Sequence, residues 1–166
     1  MKLLKHIGPK PRKVLDKRYA SRSIIFDENN LIPILFVSKF NYHKIPGGGI
    51  EKGEDKLQAL KREIKEETGC EAEITGEIGK VTENRSRWNL LQTSYCYIGR
   101  VVSKGGELSL TKKERKQKFE LVWTTLDDAI KLLKSDVPQN YEGKFIQQRD
   151  LTFLEALAER QNISLK

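Results

Sequence analysis

The chain has 166 residues, 37% of them hydrophobic, with two cysteines and a formal net charge of +8. This length suits one compact domain, and no stretch approaches the roughly 18 consecutive apolar residues of a membrane-spanning helix. The basic N-terminus lacks the apolar segment of a secretory signal, and Cys70 and Cys96 make no disulfide framework, so we expect a cytoplasmic protein with no membrane partner.

Two predicted strands come first in the chain. Tyr19–Phe26 and Leu31–Ser38 are rich in aliphatic and aromatic residues, which favour strands. Residues 27–30, Asp-Glu-Asn-Asn, form a polar turn of the kind that joins the two strands of a hairpin. We therefore predict a β-hairpin over residues 19–38.

A helix is predicted over Asp55–Thr68. Leu57, Leu60 and Ile64 recur at spacings of three and four residues, which places them on one apolar stripe that faces the core. Gly69 follows at the position where helices commonly end in a left-handed conformation.

The rest of the chain is predicted to contain three strands and two helices. The strands are expected at Glu71–Gly79, Gln92–Val102 and Phe119–Thr124. Residues 125–128, Thr-Leu-Asp-Asp, carry a capping-box pattern that starts a helix. A last helix is expected over about residues 142–159.

Strands and helices therefore mix without regular alternation, which predicts an α+β fold, a mixed α/β/α sandwich. We predict a single domain over residues 19–160. It lies between a basic N-terminal extension at residues 1–18, expected to be partly loose, and a short tail at residues 161–166. Nothing in the pattern separates a core strand from an interface strand, so monomer and homodimer both stay open.

Three glutamates crowd one side of the predicted Asp55–Thr68 helix. Glu63 is three residues from Glu66 and four from Glu67, and such neighbours lie close together on a helix surface. Their charges repel unless water solvates them or a cation binds among them. A lysine- and glutamate-rich helix is commonly a solvated face, but clustered carboxylates are also the ligands that magnesium prefers.

Three glycines, Gly47, Gly48 and Gly49, precede this helix. Glycine lets the backbone approach a ligand closely. Its carbonyls, that of Gly48 in particular, can bind a metal, and backbone amides near a helix start can bind phosphate. Glycines and glutamates together predict a metal-bridged diphosphate lying over one helix.

The spacing of these residues resembles the Nudix box, G-x5-E-x7-R-E-U-x-E-E-x-G-U, in which U is a bulky aliphatic residue. Five residues separate Gly48 from Glu54, and seven more lead to Arg62–Cys70, which reads REIKEETGC. Every fixed polar and glycine position is present, and Ile64 fits the first aliphatic position. Cys70 departs mildly at the last one, which is a packing position. Pro46 and the segment FELVWTTLDDAIKLL extend the resemblance to about residues 19–157.

This resemblance implies a Nudix fold, with a mixed sheet between helices, and a hydrolase that uses magnesium or manganese and an attacking water. Nudix enzymes cleave a nucleoside diphosphate linked to another moiety. Glu66 and Glu67 match the principal metal ligands of the family, and Glu63 matches a metal ligand or general base. Arg62 is expected to orient a carboxylate of the box, and Glu54 to support the loop through a charge pair.

Many Nudix enzymes add a distant glutamate as ligand or base. Glu114, Glu120 and Glu107 all lie in the corresponding region, and we favour Glu114. Arg85 and Arg87 are candidates for binding substrate phosphates, although arginines in a solvated loop are equally expected.

Four aromatic or imidazole side chains are weaker candidates. His43 precedes the glycines and could contact phosphate. Trp88 and either Tyr95 or Tyr97 could stack on a nucleobase. Each has a simpler interpretation as a surface or core residue of a strand.

The box does not identify the substrate, because recognition depends on loops outside it. Residues 83–88 carry neither the proline typical of ADP-ribose enzymes nor the tyrosine typical of dinucleoside polyphosphate enzymes. We therefore favour a nucleoside triphosphate, including oxidised or unusual ones, which would yield the monophosphate and pyrophosphate. The alternatives are an RNA 5′-end pyrophosphohydrolase, for which the basic N-terminus and Lys112–Lys118 would follow the strand, and a non-catalytic nucleotide sensor.

Overall fold

The computed structural model describes residues 1–10 and 15–164. The strands are β1 (Leu3–Ile7), β2 (Asp16–Phe26), β3 (Ile32–Val37), β4 (Tyr42–Lys44), β5 (Gly47–Gly49), β6 (Glu71–Arg85), β7 (Leu90–Ser103) and β8 (Phe119–Thr124). The helices are α1 (Lys56–Thr68), α2 (Lys112–Lys116), α3 (Leu126–Ser135) and α4 (Tyr141–Ser164). The predicted α+β class is confirmed.

Within the described residues, the strands form two sheets. The larger has the order β1-β6-β7-β2-β5 and is mixed, because β1 runs parallel to β6 and β2 parallel to β7, whereas the other pairs are antiparallel. The smaller is antiparallel, with the order β4-β3-β8. The short strand β5 carries the three glycines and pairs with residues 20–22 in the middle of β2, which brings the glycine segment to the edge of the larger sheet.

The predicted hairpin between β2 and β3 is wrong. Both strands exist, but they belong to different sheets. Strand β2 pairs with β7 along its whole length and with β5 at residues 20–22, whereas β3 pairs with β4 and β8. Residues 27–30 instead carry the chain across from one sheet to the other. Asp27 holds this turn by accepting the backbone N–H groups of Asn29 and Leu31 at 2.9 and 2.8 Å.

The larger sheet lies between α1 and α4. Ile24 and Ile25 are successive residues of β2, so their side chains point to opposite faces. Ile24 belongs to a cluster with Phe153 of α4, and Ile25 belongs to one with Leu60 and Ile64 of α1. This layering positions the glutamates of α1 beside the glycines at the sheet edge.

Part of the predicted N-terminal extension belongs to the sheet. Leu3–Ile7 forms β1, an edge strand parallel to β6, and β2 begins at Asp16, before the predicted start at Tyr19. The prediction of looseness for residues 11–14 lies outside the described residues. Strand β1 packs over Gly79, where an added Cβ would meet Leu4 Cγ at 2.6 Å, so β6 leaves space for it.

Three of the four helices in the described residues were predicted, at α1, α3 and α4. Helices α1 and α3 lie where predicted, but Leu57 is 44% exposed and does not face the core. It lies in the first turn of α1 and lines a surface cleft there. The final helix is longer than expected, and the basic segment at Lys112–Lys116 forms a short helix that the sequence did not predict.

Candidate active site

Strand β5 places the backbone of the glycines directly against the glutamates of α1. Gly47 has a φ of +136°, and a Cβ there would lie 2.2 Å from the carbonyl oxygen of Ser21, so only glycine fits. A Cβ on Gly48 would lie 2.2 Å from Glu63 Oε1. The carboxylate of Glu63 therefore rests on the bare Cα atom of Gly48.

The sequence predicted that the three glutamates share one outer sector of the helix, but the structure shows that they do not. Glu63 and Glu67 are 8% and 1% exposed, respectively, and only Glu66 reaches solvent. Their repulsion is relieved by two cations of the protein, Arg62 on the same helix and Lys44 on β4. The inner carboxylates are buried because α1 packs closely against β5.

Arg62 connects the glycine segment, the loop before α1 and two glutamates. Its Nε and Nη2 donate to the two oxygens of Glu54 at 2.7 and 2.9 Å, and Nη2 also donates to the carbonyl of Gly49 at 3.1 Å. Its Nη1 donates to Glu63 at 2.8 Å and to Glu66 at 3.2 Å. These bonds from Arg62 lower the pKa of Glu54 to about 2, so Glu54 stays ionised.

Glu67 is held by two hydrogen-bond donors outside helix α1. Lys44 Nζ lies 2.7 Å from Oε1, and the backbone N–H of Gly47 donates to Oε2 at 2.7 Å. Burial raises the pKa of Glu67 in spite of Lys44. Lys44 also lies 4.7 Å from the centre of the Phe119 ring. Sequence reasoning did not single out Lys44, because no local spacing connects it to Glu67.

A cleft of about 330 Å³ opens over the glycines, and we call it the basic cleft. Six cationic side chains line it: Arg18, Arg22, Lys44, Arg85, Lys113 and Arg149. Four carboxylates line it as well: Glu51, Glu63, Glu114 and Glu142. Of the two predicted phosphate-binding arginines, Arg85 therefore reaches the cleft, whereas Arg87 packs over the ring of Tyr141 and does not line it.

Glu114 is the distant glutamate that the structure brings to the basic cleft. It is half-buried on α2, and its carboxylate accepts the backbone N–H of Thr111 at 2.7 Å. Glu120 and Glu107 are exposed and do not line the cleft. The sequence analysis favoured Glu114 among the three, and Glu114 is the one that lines the cleft.

A buried ion network forms the floor of the basic cleft. Glu83 pairs with Arg85 at 2.9 Å and with Arg149 at 3.4 Å, and Arg149 also pairs with Asp150 at 2.6 Å. Desolvation alone would raise the pKa of Glu83, but the two arginines outweigh it and the pKa is lowered. Of its members only Arg85 was predicted as a site residue, because no local spacing connects the residues of β6 with those of α4.

The other aromatic candidates lie away from the basic cleft. His43 Nδ1 forms a hydrogen bond with Asp136 Oδ1 at 2.8 Å, and the imidazole ring stacks on Phe36. Trp88 packs edge-on against Tyr141. Tyr95 and Tyr97 instead line a second cleft of about 830 Å³ beside the start of α1.

The residues present fit a divalent metal, although no three His, Cys, Asp or Glu side chains of the described residues converge on one ready-made position. Glu63 and Glu66 both converge on a single positive atom, Arg62 Nη1. The missing side chain at Gly48 provides the space that the Glu63 carboxylate fills. Carboxylate and carbonyl oxygens are hard ligands, and these suit magnesium or manganese.

These features together define a class of protein. A helix with clustered glutamates packs behind a glycine strand and beside a cationic cleft, and the mixed sheet lies between helices. The family model of the NUDIX domain matches residues 16–146, which is more than half of the chain. The chain therefore belongs to the NUDIX family and is a pyrophosphohydrolase. Nudix hydrolases generally use divalent metal ions.

The fold is similar to that of solved Nudix structures. A NUDIX hydrolase from Nitrosomonas europaea has a TM-score of 0.63 and 16% identity, with 87% of this chain and 90% of that chain covered. The E. coli ORF135 protein has a TM-score of 0.57 and 18% identity, with 89% and 92% covered. A UDP-X diphosphatase has a TM-score of 0.57 and 17% identity, with 91% and 68% covered.

At these sequence identities, the similarity to the solved structures shows the fold alone. A sequence search of curated proteins gives no match. Among residues 1–10 and 15–164, no helix is both long and apolar enough to cross a membrane.

Proposed function

We propose that the chain hydrolyses nucleoside triphosphates, including oxidised or unusual ones, to the monophosphate and pyrophosphate. One observation carries the proposal: the Glu63 carboxylate rests on Gly48 at a cleft that six cationic side chains also line. Carboxylates suit a metal, and arginines and lysines suit phosphates. A polyphosphate chain with its metal engages both kinds of group at once.

Glu63, Glu66 and the Gly48 carbonyl are the groups that we propose hold Mg²⁺ or Mn²⁺. Such an ion, when bound, lowers the pKa of a water ligand and neutralises phosphoryl oxygens. Both oxygens of Glu67 accept hydrogen bonds, from Lys44 and from the backbone N–H of Gly47, so a metal bound by Glu67 would share its carboxylate with these donors or displace Lys44. Arg62 keeps Glu63 and Glu66 aligned while it anchors Glu54 and the carbonyl of Gly49.

We propose Glu114 as the general base on the outer side of the cleft. Its capping contact with Thr111 fixes its carboxylate at the rim. From there it can accept a proton from the attacking water, whose oxygen forms the new bond to phosphorus as the pyrophosphate group leaves. Glu63 remains the alternative base, since it also lines the cleft.

An RNA 5′ end is the second candidate substrate, and the position of α2 favours it. Lys113 lines the basic cleft, and the rest of α2 continues the basic surface outward from the rim. RNA cleavage would fall steeply with added salt, whereas cleavage of a small nucleotide would be less sensitive. The third candidate, a sensor without catalysis, is opposed by the presence of every glutamate of the box.

The experiment is a substrate panel with Mg²⁺: nucleoside triphosphates, ADP-sugars, dinucleoside polyphosphates and triphosphorylated RNA. The test variant is Glu66→Gln, because Glu66 is the most exposed of the three glutamates and its replacement leaves the buried contacts intact. We expect hydrolysis to fall about 100-fold or more, since a metal site contributes several kcal/mol and about 1.4 kcal/mol is tenfold.

Glu71→Gln is the matched control. Glu71 lies just beyond α1, is 64% exposed and pairs only with Lys65 at the surface, so its loss should leave turnover unchanged. Preference for ADP-sugars over triphosphates would overturn the proposed substrate. Equal losses in both variants would overturn the role of Glu66.

We also propose a cytoplasmic location. Cys70 and Cys96 are both free and buried, and burial raises the pKa of the Cys96 thiol well above its usual value. Such unreactive thiols suit a reducing compartment.

A further inference from the structure

Arg22 is a buried cation that forms no ion pair with a carboxylate of the described residues. It lies on β2 opposite Gly47 and is only 5% exposed. Its Nη1 donates to the carbonyl of Gly47, whereas its Nε makes no hydrogen bond to any described residue. No described ion pair includes it, although every other arginine of the buried network has at least one carboxylate within 3.4 Å.

Burying an unpaired charge is costly, because the lost hydration is not replaced. Burial and the nearby Arg149 lower the pKa of Arg22 to about 10, which still leaves it protonated at neutral pH. A methionine, which is shorter, would fill the inner part of this space without this cost. The hydrogen bond from Arg22 to the carbonyl of Gly47 offsets only part of the cost, so the fold alone gives a weak reason for arginine at this position.

Two further N–H groups without an acceptor lie in the same cleft. Arg149 and Arg85 are 0% and 1% exposed, and both line the basic cleft together with Arg22. Arg149 Nη2 and Arg85 Nε make no hydrogen bond within the described residues. Their other nitrogens have carboxylate partners: Glu83 and Asp150 in the buried network, and Glu142, which lines the cleft, at Arg85 Nη1.

We propose that Arg22, Arg149 and Arg85 form a buried subsite for a phosphate group, separate from the phosphate that the glutamates hold through metal. Guanidinium groups bind phosphate oxygens through strong charge-assisted hydrogen bonds. The subsite selects a substrate whose leaving end is itself anionic, a nucleoside triphosphate, over one that ends in a neutral sugar. This selectivity rests on the proposed function, whereas phosphate binding does not.

The first test uses metal-free protein in excess EDTA, so that turnover plays no part. Calorimetry and thermal unfolding are measured with inorganic phosphate, pyrophosphate and tripolyphosphate. We expect all three to bind and to raise the melting temperature, since a ligand of the native state alone stabilises it. Arg22→Met should weaken binding about tenfold or more, the value of a lost charged hydrogen bond.

The same variant should be no less stable than the wild type when no anion is present. This outcome separates a binding role from a structural one, because removal of a structural arginine lowers stability. Arg22→Lys is the second variant: it keeps the charge but loses the planar fork, and it should bind more weakly than wild type while folding normally. Arg100→Met, an exposed change on β7 away from the cleft, should bind as the wild type does.

The second test is kinetic. Arg22→Met should raise KM for a nucleoside triphosphate about tenfold or more and leave KM for an ADP-sugar little changed. Absence of anion binding by the wild type, or unaltered binding by both Arg22 variants, would overturn the subsite. If the wild type binds pyrophosphate through Arg22 but does not hydrolyse triphosphates, the subsite stands and the proposed function fails.

Discussion

The position of the Glu63 carboxylate depends on the absence of a side chain at Gly48. A Cβ there would lie 2.2 Å from Oε1 and 2.4 Å from Cδ of Glu63, so Gly48→Ala must displace the carboxylate or distort β5. We expect kcat/KM to fall about 100-fold, as it does when a group in an active site shifts by about 1 Å. Kinetics on the preferred substrate measure the loss, and circular dichroism verifies the fold.

Gly49→Ala is the matched comparison within the same strand. Its Cβ would meet Arg18 Nη2 at 3.2 Å, and this flexible end can move aside. The loss of activity should therefore be clearly smaller than for Gly48→Ala. Similar losses in the two variants would contradict a specific role for the contact between Gly48 and Glu63.

Local spacing is what made some of these residues predictable. Glu63, Glu66 and Arg62 lie within five positions of one another, so helical geometry alone brings them together. Lys44 meets Glu67 across 23 positions, and this contact depends on how β4 packs beside α1. A lysine on a strand carries no pattern that identifies its partner, and for the same reason Arg22 and Arg149 of the basic cleft were not predicted.

At the scale of elements, the C-terminal end of α1 is fixed by a contact as close as that at Gly48. Gly69 caps the helix with a φ of +66°, and a Cβ there would lie 2.1 Å from the carbonyl oxygen of Gly106. The backbone N–H of Gly106 donates to the carbonyl of Gly69 at 2.9 Å, and that of Ser109 donates to the backbone carbonyl of Glu66 at 2.8 Å. The loop after β7 therefore docks onto the end of the glutamate helix.

Gly69→Ala should lower the free energy of unfolding by about 2 kcal/mol or more. The left-handed conformation alone costs a residue with a side chain about 1–2 kcal/mol, and the docked loop must also shift. Urea unfolding measures the change. Asp55→Ala, which removes the cap at the other end of α1, should cost only about 1 kcal/mol, and a larger cost at Asp55 than at Gly69 would contradict the importance of this docking.

Elements themselves were largely predictable, whereas their pairing was not. The strand at Phe119–Thr124 has the predicted bounds, and the start of α1 differs by one residue. Alternation and apolar periodicity are local signals and identify an element directly. The neighbours of β2 are instead decided by residues far along the chain, and this is why the polar turn at residues 27–30 was mistaken for a hairpin.

At the scale of the whole molecule, the buried network beneath the basic cleft joins both sheets to α4. Glu83 on β6 holds Arg85 and Arg149, and it also accepts the amide of Gln92 on β7 at 2.9 Å. Asp150 accepts the backbone N–H of Ile45 at 3.0 Å, between β4 and β5. The same side chains that present N–H groups to the cleft are therefore held in place by the global fold.

This network makes the stability of the protein depend on pH in the acidic range. The lowered pKa of Glu83 means that its ionised form stabilises the native state, and its usual value is 4.5. The stabilisation is complete above that pH and is lost as the pH falls through the lower native value. Glu83→Gln should reduce the free energy of unfolding by about 3 kcal/mol near neutral pH, because it leaves two buried arginines short of an anion.

Glu83→Gln should also flatten the dependence of unfolding free energy on pH between about 5 and 3, since the group that titrates there is gone. Urea unfolding at a series of pH values measures both effects. Glu73→Gln, an exposed change on the same strand, should stay within about 0.5 kcal/mol of wild type and keep its slope. If Glu83→Gln keeps the wild-type slope, the acid sensitivity arises elsewhere, and Glu83 is not the group that couples protonation to the fold beneath the cleft.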